Sequence, residues 1–275
     1  MKLRIATCTT LPEVDTDQEP LSRALEAAGI DAELVAWDNP AANWDANIPT
    51  LVRSTWNYAL ALDAFLAWVD RVAATAPLLN PPDVIRTNVR KRYLHELSAR
   101  GVATVPTQIA AAGDAITIDA PRIVIKPEVG AGSLGAKLFD RGDPAAVAHL
   151  AELTRTGGLA LVQPFVASVN DYGERSMIWI DGEITHAIRK NPRFAGDSER
   201  VEGPMPIAPV ERSLAEAALA PYVDRILYGR VDIARDDHGN PMVMELELVE
   251  PSLFFARHPP ALDRFIRGLV RELGG

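Results

Sequence analysis

Hydrophobic and polar positions along this chain fall into short runs that switch between a period of two and a period near that of a helix. Leu3 to Cys8 reads as a strand, Pro20 to Ala28 as a helix stopped by Gly29, and Ala32 to Trp37 as a second strand, which opens an α/β unit. A third strand ends at Val52, and Asp63 to Ala74 then sets Phe65, Leu66, Trp68, Val69 and Val72 at helical spacing. Leu78-Leu79-Asn80-Pro81-Pro82 breaks the pattern and marks a boundary. Arg90 to Ala99 predicts a connecting helix with Gly101 as its stop, and beyond it strands outnumber helices. Asn191 to Pro209, polar and rich in Gly and Pro, predicts a long loop, of a length that is often either a functional lid or disordered. The chain has no internal repeat or low-complexity tract.

The most informative run is Met244 to Ser252. In an extended strand Glu245 and Glu247 share one face, while Met244, Leu246 and Leu248 take the other. With Asp232, from the segment Tyr228 to Ile233, they supply the oxygen donors that Mg²⁺ prefers when it carries nucleotide phosphates. The plain alternative is a solvated acidic strand face. A second site is Arg122 to Gly135, where an apolar strand delivers Lys126 and then a loop containing Gly130, Gly132, Ser133 and Gly135. Glycines let backbone N–H groups approach phosphate oxygens, and a lysine adds a mobile charge. The loop matches GxGxxG literally, but a dinucleotide fold needs a helix there and an acidic strand end about 20 residues on. Ala136 to Phe139 instead predicts a returning strand and Glu152 lies in a predicted helix, so the arrangement is a flap or a glycine-rich hairpin turn.

A third site is Leu159 to Val166, a strand running into a proline. Gln163, Phe165 and Val166 suit an adenine slot and Glu174 a ribose contact, although an ordinary hairpin fits the same residues. Arg53, Ser54, Thr55, Trp56, Asn57 and Tyr58 follow a strand of the first unit, at the end where α/β sheets place ligands; Arg53 could fork onto a substrate carboxylate, or the aromatics could be interdomain packing.

Composition narrows the class. At 275 residues and 48% hydrophobic content the chain exceeds one usual core, so two or three subdomains are expected. A net charge of -9 with no basic block argues against nucleic acid or an anionic membrane as partner. The first apolar run is too short for a signal peptide and no segment approaches a membrane span, which predicts a cytoplasmic protein. The one cysteine excludes an intramolecular disulfide, and the five histidines form no metal signature.

Taken in order, Lys91, Val-Ile-Lys-Pro with its glycine loop, Gln-Pro-Phe-Val, Gly-Glu-Arg-Ser ahead of Asp-Gly, Arg189-Lys190, Asp232 and Glu245-Leu246-Glu247 resemble the ATP-grasp family, in its glutathione-synthetase-like branch. Arg53 to Tyr58, Leu79 to Pro82 and Glu245 to Phe254 look like the O-ureido-serine cyclo-ligases of cycloserine biosynthesis. The resemblance implies an α/β (α+β) ATP-grasp fold: an N-terminal α/β domain over 1–88, a small lid subdomain over 89–166 and a metal-bearing subdomain over 167–275. It implies ATP, two Mg²⁺ ions with Mn²⁺ as substitute, an amino-acid-like carboxylate substrate and a homo-oligomer. Lys91 and Lys126 match phosphate-binding lysines, Gln163 and Val166 the adenine hinge, Glu174 the ribose acid, and Asp232, Glu245 and Glu247 the metal ligands. Arg189 falls where the family has an arginine for the transferred phosphoryl group, with Lys190 as second candidate, so Arg189→Ala is expected to nearly abolish turnover while leaving ATP binding largely intact. Two departures stand out: Arg90 where relatives often have Asp, and Glu247 where they often have Asn. The implied activity is an ATP-dependent ligase working through an acyl phosphate, either closing an O-ureido-serine into a ring or joining two amino acids; an ATP sensor without ligation is the third reading.

Overall fold

The computed structural model describes residues 1–44, 47–132, 134–191 and 200–274. Strand β1 (Lys2–Thr7), helix α1 (Gln18–Ala27), β2 (Asp31–Ala36), β3 (Thr50–Val52), α2 (Leu62–Ala73) and β4 (Leu78–Leu79) build a four-stranded parallel sheet in the order β2-β1-β3-β4. Period two sorts β1 between two cores: Leu3 and Ile5 pack with Leu21 and Leu25 of α1, whereas Ala6 and Cys8 pack with Phe65, Trp68, Val69 and Val72 of α2. Gly29 ends α1 with φ 69°, a left-handed value that costs glycine little.

The Leu78 to Pro82 break contains the short strand β4 and the start of α3 (Pro82–Asn88), where Pro82 loses nothing by lacking an N–H. Helix α4 (Tyr93–Ala99) begins later than expected, so Lys91 lies in the turn between α3 and α4 rather than on a helix. Next come β5 (Gln108–Ala110), β6 (Arg122–Pro127), β7 (Lys137–Asp140), α5 (Pro144–Thr154) and β8 (Ala160–Pro164), an antiparallel sheet in the order β5-β8-β6-β7. The returning strand after the glycine loop is β7, which pairs with β6. Helix α5 covers this sheet through Ala146 and Leu150.

The last sheet, in the order β11-β10-β9-β12-β13, comprises β9 (Glu174–Ile180), β10 (Glu183–Lys190), β11 (Val201–Met205), β12 (Tyr228–Arg235) and β13 (Pro241–Glu247), with α6 (Pro209–Leu219) and α7 (Pro259–Glu272) against it. β8 and β9 belong to different sheets, so no hairpin joins them, whereas β9 and β10 form one around Asp181-Gly182. The Asn191 to Pro209 expectation divides: Val201–Met205 is strand β11, which pairs with β10, and residues 192–199 lie outside the described residues. One face of the sheet, through Met177, Val231, Ile233 and Leu246, packs on α4 and α6. No described helix is long and apolar enough to cross a membrane.

β13 lies at the rim of its sheet, yet its outward backbone groups are bonded. Asn88 Nδ2 donates to Leu246 O at 2.9 Å and its Oδ1 accepts from Leu248 N–H at 2.7 Å. Tyr93 Oη accepts from Leu246 N–H at 3.2 Å, and Asn80 Nδ2 donates to Leu248 O at 2.9 Å. Val105 N–H and Val243 N–H exchange bonds with Val243 O and Ala103 O at 3.0 and 2.9 Å. The linker thus fixes the register of the strand that carries Glu245 and Glu247.

Candidate functional site

β12 and β13 run antiparallel with Asp232 opposite Glu245 and Arg230 opposite Glu247. Since Val231, Ile233 and Leu246 enter the core, Arg230, Asp232, Glu245 and Glu247 emerge on the other face. Each carboxylate there is matched by a cation. Arg230 donates to both Asp232 oxygens at 2.9 Å and contacts Glu247, while Lys190 Nζ lies 2.7 Å from Asp232 Oδ2 and also contacts Glu174. From the other sheet, Lys126 Nζ reaches Glu245 Oε1 at 2.6 Å. Lys126 leaves the end of β6 and Glu245 sits near the end of β13, so this bond joins the small sheet to the large one.

Burial and charge decide the protonation of this group. Burial opposes ionisation of Asp232, but Arg230 and Lys190 hold it well below the usual carboxylate range. Burial likewise works against Glu245, yet Lys126 and Lys91 bring it down to about 2. At Glu174 burial outweighs Lys190, and the carboxyl rises to about 7. At Glu247 burial also outweighs the nearby Arg230 and raises it. Lys190 is raised because Asp232 and Glu174 overcome its own desolvation and the repulsion of Arg230.

The glycine loop is tied to the linker. Lys91 Nζ donates to Gly130 O at 2.6 Å, and its backbone N–H bonds Glu128 O at 3.1 Å. The departure at Arg90 has a structural answer: Arg90 and Arg92 grip the buried carboxylate of Glu128 at 3.3 and 2.7 Å, anchoring the loop on both sides of Lys91. Gly132 and Gly135 take φ of 59° and 73°, left-handed values that suit a backbone wrapped around an anion. Ser133 lies outside the described residues.

At the hinge, Val166 packs with Val105, Ala234, Met242 and Met244. A bulge in β13 causes this: Asp232 pairs Glu245 but Ile233 pairs Val243, so Met244 is skipped. Met244 therefore joins Val166 instead of the Leu246 face, which corrects the alternation expected for it. Gln163 is spent internally, donating to Thr107 Oγ1 at 2.9 Å, and Arg122 stacks over the Phe165 ring at 4.2 Å. Glu174 lies beside Lys190 rather than in the Val166 group.

Other expected residues are not brought to the cluster. Arg189 and Lys190 are consecutive on β10 and face opposite ways; Lys190 reaches Asp232, whereas Arg189 donates to Asp171 O at 2.6 Å and pairs with Glu202 at 3.4 Å. Arg53 is 2% exposed, 3.3 Å from Asp17 and stacked over Tyr228 at 5.6 Å. The same Asp17 carboxylate accepts the N–H groups of Leu253, Phe254 and Phe255, so Arg53 forms part of an internal brace. Ser54 bonds Thr7 at 2.9 Å, Thr55 is fully buried, and Asn57 bridges Trp37 and Asp38 at 2.7 Å each. Trp56 Nε1 instead donates to Glu250 O at 3.0 Å, next to the cluster.

Sequence reasoning missed Arg230, although its spacing of two from Asp232 put it on the same strand face. The described residues contain no group of three His, Cys, Asp or Glu side chains set for a metal ion, and Asp232, Glu245 and Glu247 are each paired with a protein cation. The donors nevertheless fit Mg²⁺: all are hard oxygens on one sheet face, and two of their present partners, Lys126 and Lys190, are ammonium groups that phosphate can draw off.

Residues 3–80 match the family described as D-cycloserine synthetase DcsG, N-terminal domain. The chain is 32% identical to the cycloserine biosynthesis protein DcsG of Streptomyces lavendulae over 293 residues, covering 98% of this chain and 97% of that one. It is similar to the crystal structure of D-cycloserine synthetase DcsG at a TM-score of 0.90 and 31% identity, over 99% of this chain and 100% of that chain. It shares the fold of a RimK domain ATP-grasp protein from Sphaerobacter thermophilus at a TM-score of 0.68 and 16% identity, covering 97% of this chain and 99% of that one. Likeness of that extent, on a site of paired lysines and carboxylates between two sheets, establishes that the chain belongs to the DcsG family of ATP-grasp ligases.

Proposed function

We propose that this protein phosphorylates the carboxylate of an O-ureido-serine-type amino acid with ATP and closes the resulting acyl phosphate into the cycloserine ring, releasing ADP and phosphate and, with water, the carbamoyl group as carbon dioxide and ammonia. The observation that carries this reading is the set of opposed charges on one sheet face: Lys126, Lys190 and Arg230 against Asp232, Glu245 and Glu247. A carboxylate is a poor electrophile, and converting it to an acyl phosphate supplies the leaving group that a nitrogen can displace. Residues 1–88 are the N-terminal α/β domain, 89–166 the lid and 167–275 the metal-bearing part.

Val166, Phe165 and Gln163, with Met242 and Met244, form the adenine slot, and Glu174 takes the ribose hydroxyls. Lys91 and Lys126, with Gly130, Gly132 and Ser133, hold the phosphates; ATP entering there competes with Glu245 for Lys126 and frees that carboxylate. Asp232, Glu245 and Glu247 hold two Mg²⁺ ions, for which Mn²⁺ substitutes. Bound there, the metal offsets phosphate charge during transfer. Lys190 and Arg230 are placed to meet the charge that develops on the transferred group, a role in which the charge cluster favours Lys190 over Arg189. The ureido nitrogen bonded to oxygen then attacks the acyl carbon and phosphate leaves; water cleaves the carbamoyl group from that nitrogen, and the group departs as carbon dioxide and ammonia. No protein nucleophile takes part. The enzyme works in the cytoplasm as a homo-oligomer.

The test is Mg²⁺-dependent phosphate release from ATP across a panel of amino acids, including both O-ureido-serine enantiomers, with mass analysis of products. Release with the D enantiomer and appearance of cycloserine is the expected result. Release only with paired amino acids would make this an intermolecular ligase, and ATP binding without turnover would favour a sensor.

A further inference from the structure

Asp17 stands at the N-cap of α1, where an aspartate ordinarily accepts an N–H of its own first turn, yet its carboxylate makes no such bond. The side chain, 1% exposed, is spent elsewhere. Its oxygens accept the backbone N–H groups of Leu253, Phe254 and Phe255 at 2.5, 3.1 and 2.8 Å, and Arg53 lies 3.3 Å away. Successive N–H groups converge on one anion when the chain between them passes through a left-handed conformation. Phe254, the middle residue, does so, with φ 52° and ψ 41°, values that a residue bearing a Cβ rarely adopts. The carboxylate thus imposes a curl on residues 252–255 that the chain would not take by itself. Upstream, Trp56 Nε1 holds the same segment through Glu250 O at 3.0 Å.

The curl meets the charge cluster at Arg230. Ser252 O accepts from Arg230 Nη1 at 3.4 Å, and the Phe254 ring faces the guanidinium, with Cζ 5.9 Å from the ring centroid. The same guanidinium also donates to Asp232 and Glu247, the carboxylates that turn to Mg²⁺ in the ligase reading. Ser252 O and the Phe254 ring belong to neither metal nor nucleotide, so they keep their hold on Arg230 when those carboxylates change partner. We propose that Asp17 is a positioning residue for phosphoryl transfer: through the 252–255 curl it keeps Arg230 aimed at the transferred group while Asp232 and Glu247 engage the metal. This rests on the ligase reading above and names, within it, the link by which the parallel-sheet unit acts on chemistry carried by β12 and β13. Arg53, packed against Asp17, supports that link as its counter-charge.

The experiment measures kcat and the KM for ATP, with O-ureido-D-serine as substrate, for wild type, Asp17→Asn, Arg230→Lys and the double variant, and follows thermal melting of each. Asp17→Asn keeps the size of the side chain but sets an NH₂ group against backbone N–H groups. It should lower kcat by about 10- to 100-fold, the loss typical of one charged hydrogen bond, while the KM for ATP stays within about threefold. In the Arg230→Lys background, where the forked guanidinium is already gone, the same substitution should cost less than about threefold. An equal loss in both backgrounds would mean that Asp17 only holds the fold, and overturns the proposal. If Asp17→Asn does not fold, Phe254→Leu takes its place, since it keeps the three N–H groups and removes only the ring. A kcat loss of about three- to tenfold that vanishes in the Arg230→Lys background supports the assignment, whereas an unchanged kcat, or an equal loss in both backgrounds, overturns it. Absence of phosphate release by the wild type would instead overturn the ligase reading, and with it this link.

Discussion

Replacing Asn88 by leucine keeps the branched outline and heavy-atom count of a buried side chain while deleting two hydrogen bonds to β13. Asn88 is 8% exposed, and its amide satisfies Leu246 O and Leu248 N–H at 2.9 and 2.7 Å. Each buried backbone group left without a partner costs about 1–3 kcal/mol, so the variant should lose about 2–6 kcal/mol, a large fraction of the stability of an ordinary domain. Asn88→Ala should lose somewhat more, because it adds a cavity. Asn88→Asp should also be destabilised, since it keeps the acceptor for Leu248 but faces Leu246 O with an anion. Urea unfolding, followed by far-UV circular dichroism, measures the difference at constant m. Glu247 lies between the two released residues, so Asn88→Leu should also need more Mg²⁺ for half-maximal phosphate release. An Asn88→Leu protein within about 0.5 kcal/mol of wild type would refute the claim that this amide holds the strand.

Two further outcomes follow from the charge layout. Lys190→Met should lower turnover by about 10²- to 10³-fold, whereas Arg189→Met, which removes a contact to Asp171 O on the opposite face, should cost less than about tenfold; steady-state kinetics giving the reverse ranking would return the role to Arg189. Burial first, and the neighbouring His258 second, lower the pKa of His186 to about 4, so it stays neutral when folded but binds a proton near pH 6.5 when unfolded. Its contribution is therefore full above pH 6.5 and is lost as pH falls towards 4, up to about 3 kcal/mol; His186→Asn should flatten the stability profile in that window, and an unchanged slope would sink the idea.

The elements with strong periodicity were legible in the sequence. β1, α1, β2, α2 and β6 follow directly from apolar spacing, because each buries a face whose period is set by its own geometry. Asp232, Glu245 and Glu247 were visible for the same reason. What failed depended on contacts between distant segments. Nothing local announces that Arg53 will meet Asp17, or that a bulge will turn Met244 towards Val166. Arg189 and Lys190 illustrate the finest limit: neighbours on a strand differ only in which face they take, and that depends on the register of β10 against β9. Lys91 shows that a turn between two helices can read as helix when both flanks are helical.

The strand that carries Glu245 and Glu247 lies at the rim of its sheet, where another chain could in principle add a strand of its own. Asn80, Asn88, Tyr93 and residues 103–105 already occupy its outward donors and acceptors. That rim is therefore closed to β-augmentation, and edge-to-edge aggregation has no foothold beside the active site. Any self-association through sheet edges has to begin at a different strand, leaving the chemistry untouched while it does so.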